Sequence, residues 1–190
     1  MTRLVLLGPP GAGKGTQAAR LAETLQVPAI STGDIFRANV REGTELGVTA
    51  KRYMDAGEYV PDSVTNAMVA DRLSQPDAAR GFLLDGYPRT AEQVVELDRV
   101  LAAQDAALDR VVEITADTDE VVTRILKRSA EQGRSDDTED VVRRRLELYT
   151  EQTAPLSATY EQRGLLVRVD GMGAVDDVTA RLLDAIGVPA

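Results

Sequence analysis

Five short apolar runs punctuate the chain: Leu4-Val5-Leu6-Leu7, Val27-Pro28-Ala29-Ile30, Gly81-Phe82-Leu83-Leu84-Asp85, Val111-Val112-Glu113-Ile114 and Leu165-Leu166-Val167-Arg168-Val169. Each reads as a strand, and the third, with no polar alternation, as a strand covered on both faces. Between them apolar residues recur at helical spacing, as in Ala18, Leu21, Ala22 and Leu25, in Leu46, Ala50, Tyr53 and Met54, in Val94, Leu97 and Leu101, and in Val121, Val122, Ile125 and Leu126. Val64, Ala67 and Met68 mark a further helix, and Val175, Val178, Leu182 and Ile186 the last. Ser31-Thr32-Gly33-Asp34 is a cap-like cluster that opens a helix, Gly57 closes one, and Pro61 suits a first helical position. A break is expected just before Pro155. Asp85-Gly86 could turn a hairpin, but no second strand follows it. Strands separated by helices imply right-handed crossovers, hence an α/β fold with a five-stranded parallel sheet flanked by helices on both faces. Ligands of such sheets bind beyond the carboxyl ends of the strands, where Gly8 to Lys14, Thr32, Asp85 to Arg89 and Asp170-Gly171 fall.

The chemistry starts at Gly8-Pro9-Pro10-Gly11-Ala12-Gly13-Lys14-Gly15-Thr16, between the first strand and the first helix. Four glycines in nine residues let successive amides turn inward around an anion, and the helix that follows adds its own unpaired amides and dipole. Lys14, expected to face solvent, supplies a full positive charge. The pattern is nearly the Walker A phosphate-binding loop, with Gly15 in the Ser/Thr position and the hydroxyl one residue later at Thr16. A plain strand-to-helix turn would not need the lysine. A dinucleotide site, suggested by Gly11-x-Gly13 with Asp34 about 20 residues on, is disfavoured by Thr16 in place of the third glycine and by Lys14 inside the loop.

Composition narrows the reading. With 190 residues and 43% apolar content the chain can bury a core of its own. No apolar run approaches the ~20 residues of a membrane span, and the first is too short for a signal peptide, so a cytoplasmic location is expected. The absence of cysteine and histidine removes thiol chemistry, the usual general base and cysteine-bound zinc, leaving hard ions held by oxygen. A net charge of −9 argues against nucleic-acid or membrane partners, so a phosphorylated substrate requires positive charge collected locally. Asp85, at the end of an apolar strand, has the place of a Walker B acid that holds magnesium directly or through water. Arg89, just past Pro88, approaches the same crevice and can grip a phosphate with two parallel bonds. Arg124 and Arg128 share a helix face, where like charges repel unless an anion lies between them. Arg134 and Arg145 are ambiguous alone, and Arg143 and Arg144 are expected to be solvated.

Gly8 to Gln17, Ile30-Ser31-Thr32-Gly33-Asp34, Gly81 to Thr90 and Arg134-Ser135-Asp136-Asp137 occur in order and at characteristic separations. On these stretches the whole chain resembles the adenylate kinase family, which uses the same glycine after the loop lysine. The resemblance implies a P-loop nucleoside monophosphate kinase fold, an ATP:AMP phosphotransferase, Mg2+ with ATP, no zinc, and a monomer. It implies that Gly11, Ala12, Gly13, Lys14, Gly15 and Thr16 hold the ATP phosphates, with Arg128 near them and Gly173 at the ATP base. Thr32, Arg37, Glu58, Tyr59, Val60, Gly86, Arg89 and Gln93 would receive AMP, the Gln93 amide matching the adenine edge. Arg124, Arg128, Arg134 and Arg145 would surround the phosphates, and Asp85 would serve magnesium. Residues 31–60 would be an AMP-binding insertion in a core of residues 1–30, 61–128 and 138–190. Residues 129–137 would be a short loop where longer members carry a lid domain. The neighbouring alternatives are a UMP/CMP-type kinase on the same scaffold and a nucleotide-binding regulator without turnover.

Overall fold

The computed structural model describes residues 2–117, 120–121, 123–125 and 138–188. Its sheet has five parallel strands, β1 (Thr2–Leu7), β2 (Ala29–Ser31), β3 (Gly81–Asp85), β4 (Arg110–Thr115) and β5 (Leu166–Asp170), in the order β2-β3-β1-β4-β5. The helices are α1 (Lys14–Leu25), α2 (Thr32–Glu42), α3 (Glu45–Asp55), α4 (Asp62–Leu73), α5 (Ala91–Ala102), α6 (Glu139–Leu148), α7 (Leu156–Gln162) and α8 (Val175–Ala185), besides the helical residues 120–121 and 123–125. None of the described helices is long and apolar enough to cross a membrane.

The alternation of side chains along each strand divides the core in two. Val5, Leu7, Phe82, Leu84 and Val111 pack under α4, α5 and α7, against Val69, Leu97, Leu101 and Tyr160. Leu4, Leu6, Leu83, Val112 and Ile114 pack under α1 and α8, against Leu21, Val178 and Leu182. Because β1 is buried on both faces and hydrogen-bonded on both edges, it reads as a continuous apolar run. Its register aligns Leu6 with Asp85 and Leu7 with Glu113, and β2 aligns Ser31 with Asp85, so the strand ends finish along one edge of the sheet. There β1 lies where the strand order reverses, the usual place for a ligand crevice.

Two expected elements shift. The second strand begins at Ala29 rather than Val27, because Pro28 has no N–H to give and pairs only through its carbonyl, which accepts from Leu83 N at 2.9 Å. The fifth runs from Leu166 to Asp170, one residue later than its apolar run. The break before Pro155 is present in a particular form: α6 passes into a single π turn, Tyr149–Thr153, closed by Ala154 N donating to Tyr149 O at 2.8 Å. Such a widened turn re-aims side chains, here Tyr149 and Thr153, toward the strand-end crevice.

α2 and α3 form a small unit with its own cluster, Phe36, Ala50 and Val60. Ser31 caps α2 by accepting from Asp34 N at 3.3 Å, and Thr44 caps α3 by accepting from Gly47 N at 3.0 Å. Gly47 lets the two helices touch, since a Cβ there would overlap the carbonyl of Asn39. Gly47→Ala is therefore expected to cost about 1–3 kcal/mol by overpacking. Calorimetry should show a Tm lowered by roughly 2–4 °C for each kcal/mol.

Candidate functional site

Along the strand ends runs a cavity of about 790 Å³, bounded by the glycine-rich loop on one side and by α2, the 57–60 segment and the start of α5 on the other. The loop owes its path to glycine at two close approaches. At Gly8, with φ 144°, a Cβ would stand 2.5 Å from the Ile114 carbonyl oxygen, and at Gly11, with φ 84°, 2.7 Å from Ile125 Cγ1. α1 then begins at Lys14 with Gly13 as its cap, no side chain bonding its first amides and no acidic residue in its first turn. Amides and dipole are thus left for an anion at the place where Gly11 to Thr16 line the cavity. Lys14 is not simply solvent-facing: its Nζ donates to Gly8 O at 2.7 Å and Pro9 O at 2.9 Å, which holds the ammonium over the loop. Gln17, 3% exposed, donates to Val175 O at 3.0 Å and accepts from Thr179 Oγ1 at 2.7 Å, tying α1 to α8 behind the loop.

Opposite the loop, β3 ends at Asp85 and the chain turns through Gly86, whose φ is 81°. The Gly86 carbonyl accepts from Thr32 Oγ1 at 3.0 Å and from Arg89 Nε at 2.8 Å, so one peptide joins α2 to the arginine. A Cβ on Gly86 would lie 2.8 Å from Thr32 Oγ1 and 3.1 Å from Arg89 Nη2. The Arg89 guanidinium lies over the Tyr59 ring, 5.1 Å from its centroid. Thr153 Oγ1 donates to the Arg89 carbonyl at 2.8 Å, which leaves the Tyr59 hydroxyl to donate to Thr153 across 2.9 Å. Burial pushes the Arg89 guanidinium below its usual pKa; the charges of Arg145 and Arg37 push the same way, against Tyr59 and Asp85. Arginine does not deprotonate in proteins, so this direction marks positive charge held without enough compensation. A phosphate would relieve it.

Arg37 faces the cavity one turn beyond Gly33 and pairs with Asp34 at 2.7 Å. Glu58, Tyr59, Val60, Gln93 and Arg145 complete this half. Arg124 lines the other end, near the loop after β5, and donates to Gly171 O at 3.4 Å and to Glu120 at 3.1 Å. Gly173 also lines the cavity, and Arg181 supports its loop through Met172 O at 2.6 Å. Every described residue proposed from the sequence thus reaches one crevice; Arg128, Arg134 and residues 129–137 lie outside the described residues.

Sequence reasoning missed Tyr149 and Thr153, which line the cavity beside Arg145; the break at Pro155 was the available signal. Burial pushes the Tyr149 hydroxyl up to about 12, with Glu113 and Tyr59 adding to the effect, so it stays neutral at physiological pH. Arg144 departs from the solvated role expected of it: its guanidinium bonds Glu58 Oε1 at 2.7 Å and Glu147 at 3.3 Å, tying α6 to the 57–60 segment. Arg143, 69% exposed and paired with Glu139, is solvated as expected.

For a metal, the described residues hold no group of three or more acidic side chains placed to ligate one ion. Asp85 stands beside the glycine-rich loop, its Oδ2 3.7 Å from where a Cβ of Gly15 would be. One carboxylate fits magnesium, which keeps much of its water and takes further oxygens from bound phosphates.

Comparison with known proteins bears on this arrangement. The sequence model of the family described as adenylate kinase matches residues 6–165. The adenylate kinase of Kocuria rhizophila is 64% identical over 186 residues, covering 98% of this chain and 99% of that protein. Those of a Nocardioides species and of Pseudarthrobacter chlorophenolicus are 63% and 59% identical, each over 98% of this chain and 97% of the relative.

Gly86→Ala should displace both the Thr32 hydroxyl and the Arg89 guanidinium while straining a left-handed backbone, a loss of about 1–3 kcal/mol. Titration calorimetry with a nucleoside monophosphate should then read at least a fivefold weaker Kd, with binding of a nucleoside triphosphate unchanged.

Proposed function

Since the chain belongs to the adenylate kinase family, we propose that its crevice binds ATP along the glycine-rich loop and AMP against the arginine wall, and passes the γ-phosphoryl group between them. The enzyme is an ATP:AMP phosphotransferase, and its reversible reaction yields two ADP. The observation that carries the assignment of sites is the pairing of two phosphate-binding devices in one cavity, the loop with Lys14 and the group Arg37, Arg89 and Arg145.

The attacking atom is an oxygen of the AMP phosphate, already anionic at pH 7. As its bond to the γ-phosphorus forms, the bond from that phosphorus to the β–γ bridging oxygen breaks, and the leaving group is ADP. No proton has to be removed, which suits a chain without histidine. Catalysis then rests on alignment and on charge placed where it develops. Lys14 holds the γ-phosphate, Arg89 and Arg37 orient the AMP phosphate, and Arg124 and Arg145 spread the charge of the group in transit. Asp85 would hold magnesium, through water, at the ATP phosphates, and the ion's charge would offset repulsion between the two nucleotides. Thr32, Val60, Gly86 and Gln93 receive the adenosine of AMP; the loop at Gly173 receives the base of ATP.

The other elements follow from the same reading. Residues 31–60 form the AMP-binding insertion, supported by their separate apolar cluster, on a core of residues 1–30, 61–128 and 138–190. Arg128 and Arg134 join the phosphate cage from around a short loop at 129–137. The protein acts as a cytoplasmic monomer, and its charge of −9 speaks against nucleic-acid or membrane partners.

Product formation from Mg-ATP with AMP, CMP, UMP or GMP tests the reading. Rapid, reversible ADP formation with AMP, lost when magnesium is chelated, is expected; preference for CMP or UMP would overturn the adenine assignment. Lys14→Met should lower kcat at least ~100-fold, as loss of one charge-stabilising donor does. Arg89→Ala should cost about 2–4 kcal/mol, or roughly 30- to 1000-fold in kcat/KM for AMP. A change confined to the KM for ATP would place Arg89 at the wrong nucleotide.

A further inference from the structure

Asp62 opens α4 directly after Val60 and Pro61, and both of its carboxylate oxygens are engaged by α5. Oδ1 accepts from Gln93 Nε2 at 2.6 Å and Oδ2 accepts from Thr90 Oγ1 at 2.8 Å. Thr90 cannot reverse this bond, because the ionised carboxylate has no proton to give; the same hydroxyl accepts from Gln93 N at 3.2 Å as the cap of α5. At the other end of the side chain, Gln93 Oε1 accepts from Arg89 N at 2.7 Å.

Each of these partners has a single chemical option. A carboxylate can only accept and a backbone N–H can only donate. A half-turn of the Gln93 amide would set oxygen against oxygen at Asp62 and N–H against N–H at Arg89. The side chain, 2% exposed yet lining the cavity, therefore cannot exchange its two ends. An amide has two donor hydrogens and two acceptor lone pairs, and the network uses one of each. One donor and one acceptor remain, in an order set by Asp62. Adenine offers an amino donor at position 6 beside the acceptor N1. A 6-oxopurine offers the reverse, an oxygen beside N1–H.

We propose that Asp62 is a specificity-determining positioning residue: by holding the Gln93 amide in one orientation it makes the site select a 6-aminopurine monophosphate over a 6-oxopurine one. The proposal rests on the reading that Gln93 meets the base of AMP. Asparagine at position 62 would offer one acceptor where two donors need one and would add donors of its own, leaving only Arg89 N–H to oppose the flipped amide.

The test compares the wild-type enzyme with Asp62→Asn, Asp62→Ala and Gln93→Ala, reading kcat and KM for ATP, AMP and IMP, together with Tm. Both Asp62 variants are expected to raise the KM for AMP and to lower the AMP:IMP ratio of kcat/KM about tenfold or more, with the KM for ATP unchanged within about twofold. Asp62→Ala reads the same ratio should Asp62→Asn fail to fold. If AMP and IMP suffer equally while Tm drops, Asp62 merely supports the fold and the proposal is overturned. A ratio unchanged in the Asp62 variants but lost in Gln93→Ala also defeats it, while leaving Gln93 at the base. A ratio unchanged in Gln93→Ala removes the reading beneath both.

Discussion

Positive charge gathered where water is scarce is the constraint around which this molecule is arranged. Arg89 stands at the crevice floor with Arg37 and Arg145 as neighbours, and both burial and those neighbours disfavour its charge. Like charges held together this way destabilise the empty protein, so the backbone must pin them: Gly86 O and the Tyr59 ring hold the guanidinium, while Gln93 and Thr153 hold the Arg89 peptide on its two sides. The arrangement costs folding free energy that a bound phosphate can return. Such pre-placed charge is what a transfer between two anions requires.

The sheet explains how residues far apart in sequence can share that task. Parallel strands end at one edge, and the register of β1 with β3 and β4 brings the starts of the glycine loop, of the Asp85–Arg89 turn and of the segment after β4 together there. The two halves of the crevice then differ in construction. The loop offers amides and one lysine, on a backbone shaped by glycine; the opposite wall offers guanidinium groups on side-chain networks. A loop of amides suits a polyphosphate lying along it, whereas arginines with fixed hydrogen-bond partners suit a single phosphate in one orientation.

Much of this was legible in the sequence because local rules and the global fold agree. β1 and β3 are continuous apolar runs since both faces are covered, and the glycine loop with Lys14 states its chemistry within nine residues. Asp85 and Arg89 could be placed because a strand end and a proline hold them at the crevice. What stayed hidden depends on distant partners. Lys14 turns its ammonium onto the Gly8 and Pro9 carbonyls, Arg144 finds Glu58 on another segment, and Asp62 accepts from a glutamine on α5. The π turn is a similar case: Pro155 foretold a break, but its width, which brings Thr153 to Arg89 and Tyr59, is set by tertiary packing. β2 was misplaced at its start because Val27 is apolar for packing against the second core cluster rather than for pairing.

On the proposed reading the arginine wall receives phosphate charge more than the base. The most direct measurement is the thermal midpoint of the protein with AMP, with adenosine and with inorganic phosphate at equal concentrations. Ligands that bind only the folded state raise Tm in proportion to their binding. A rise of several degrees is expected with AMP, a smaller one with phosphate alone and almost none with adenosine. A rise with adenosine equal to that with AMP would contradict that reading, because the buried arginines would then contribute nothing to holding the nucleotide.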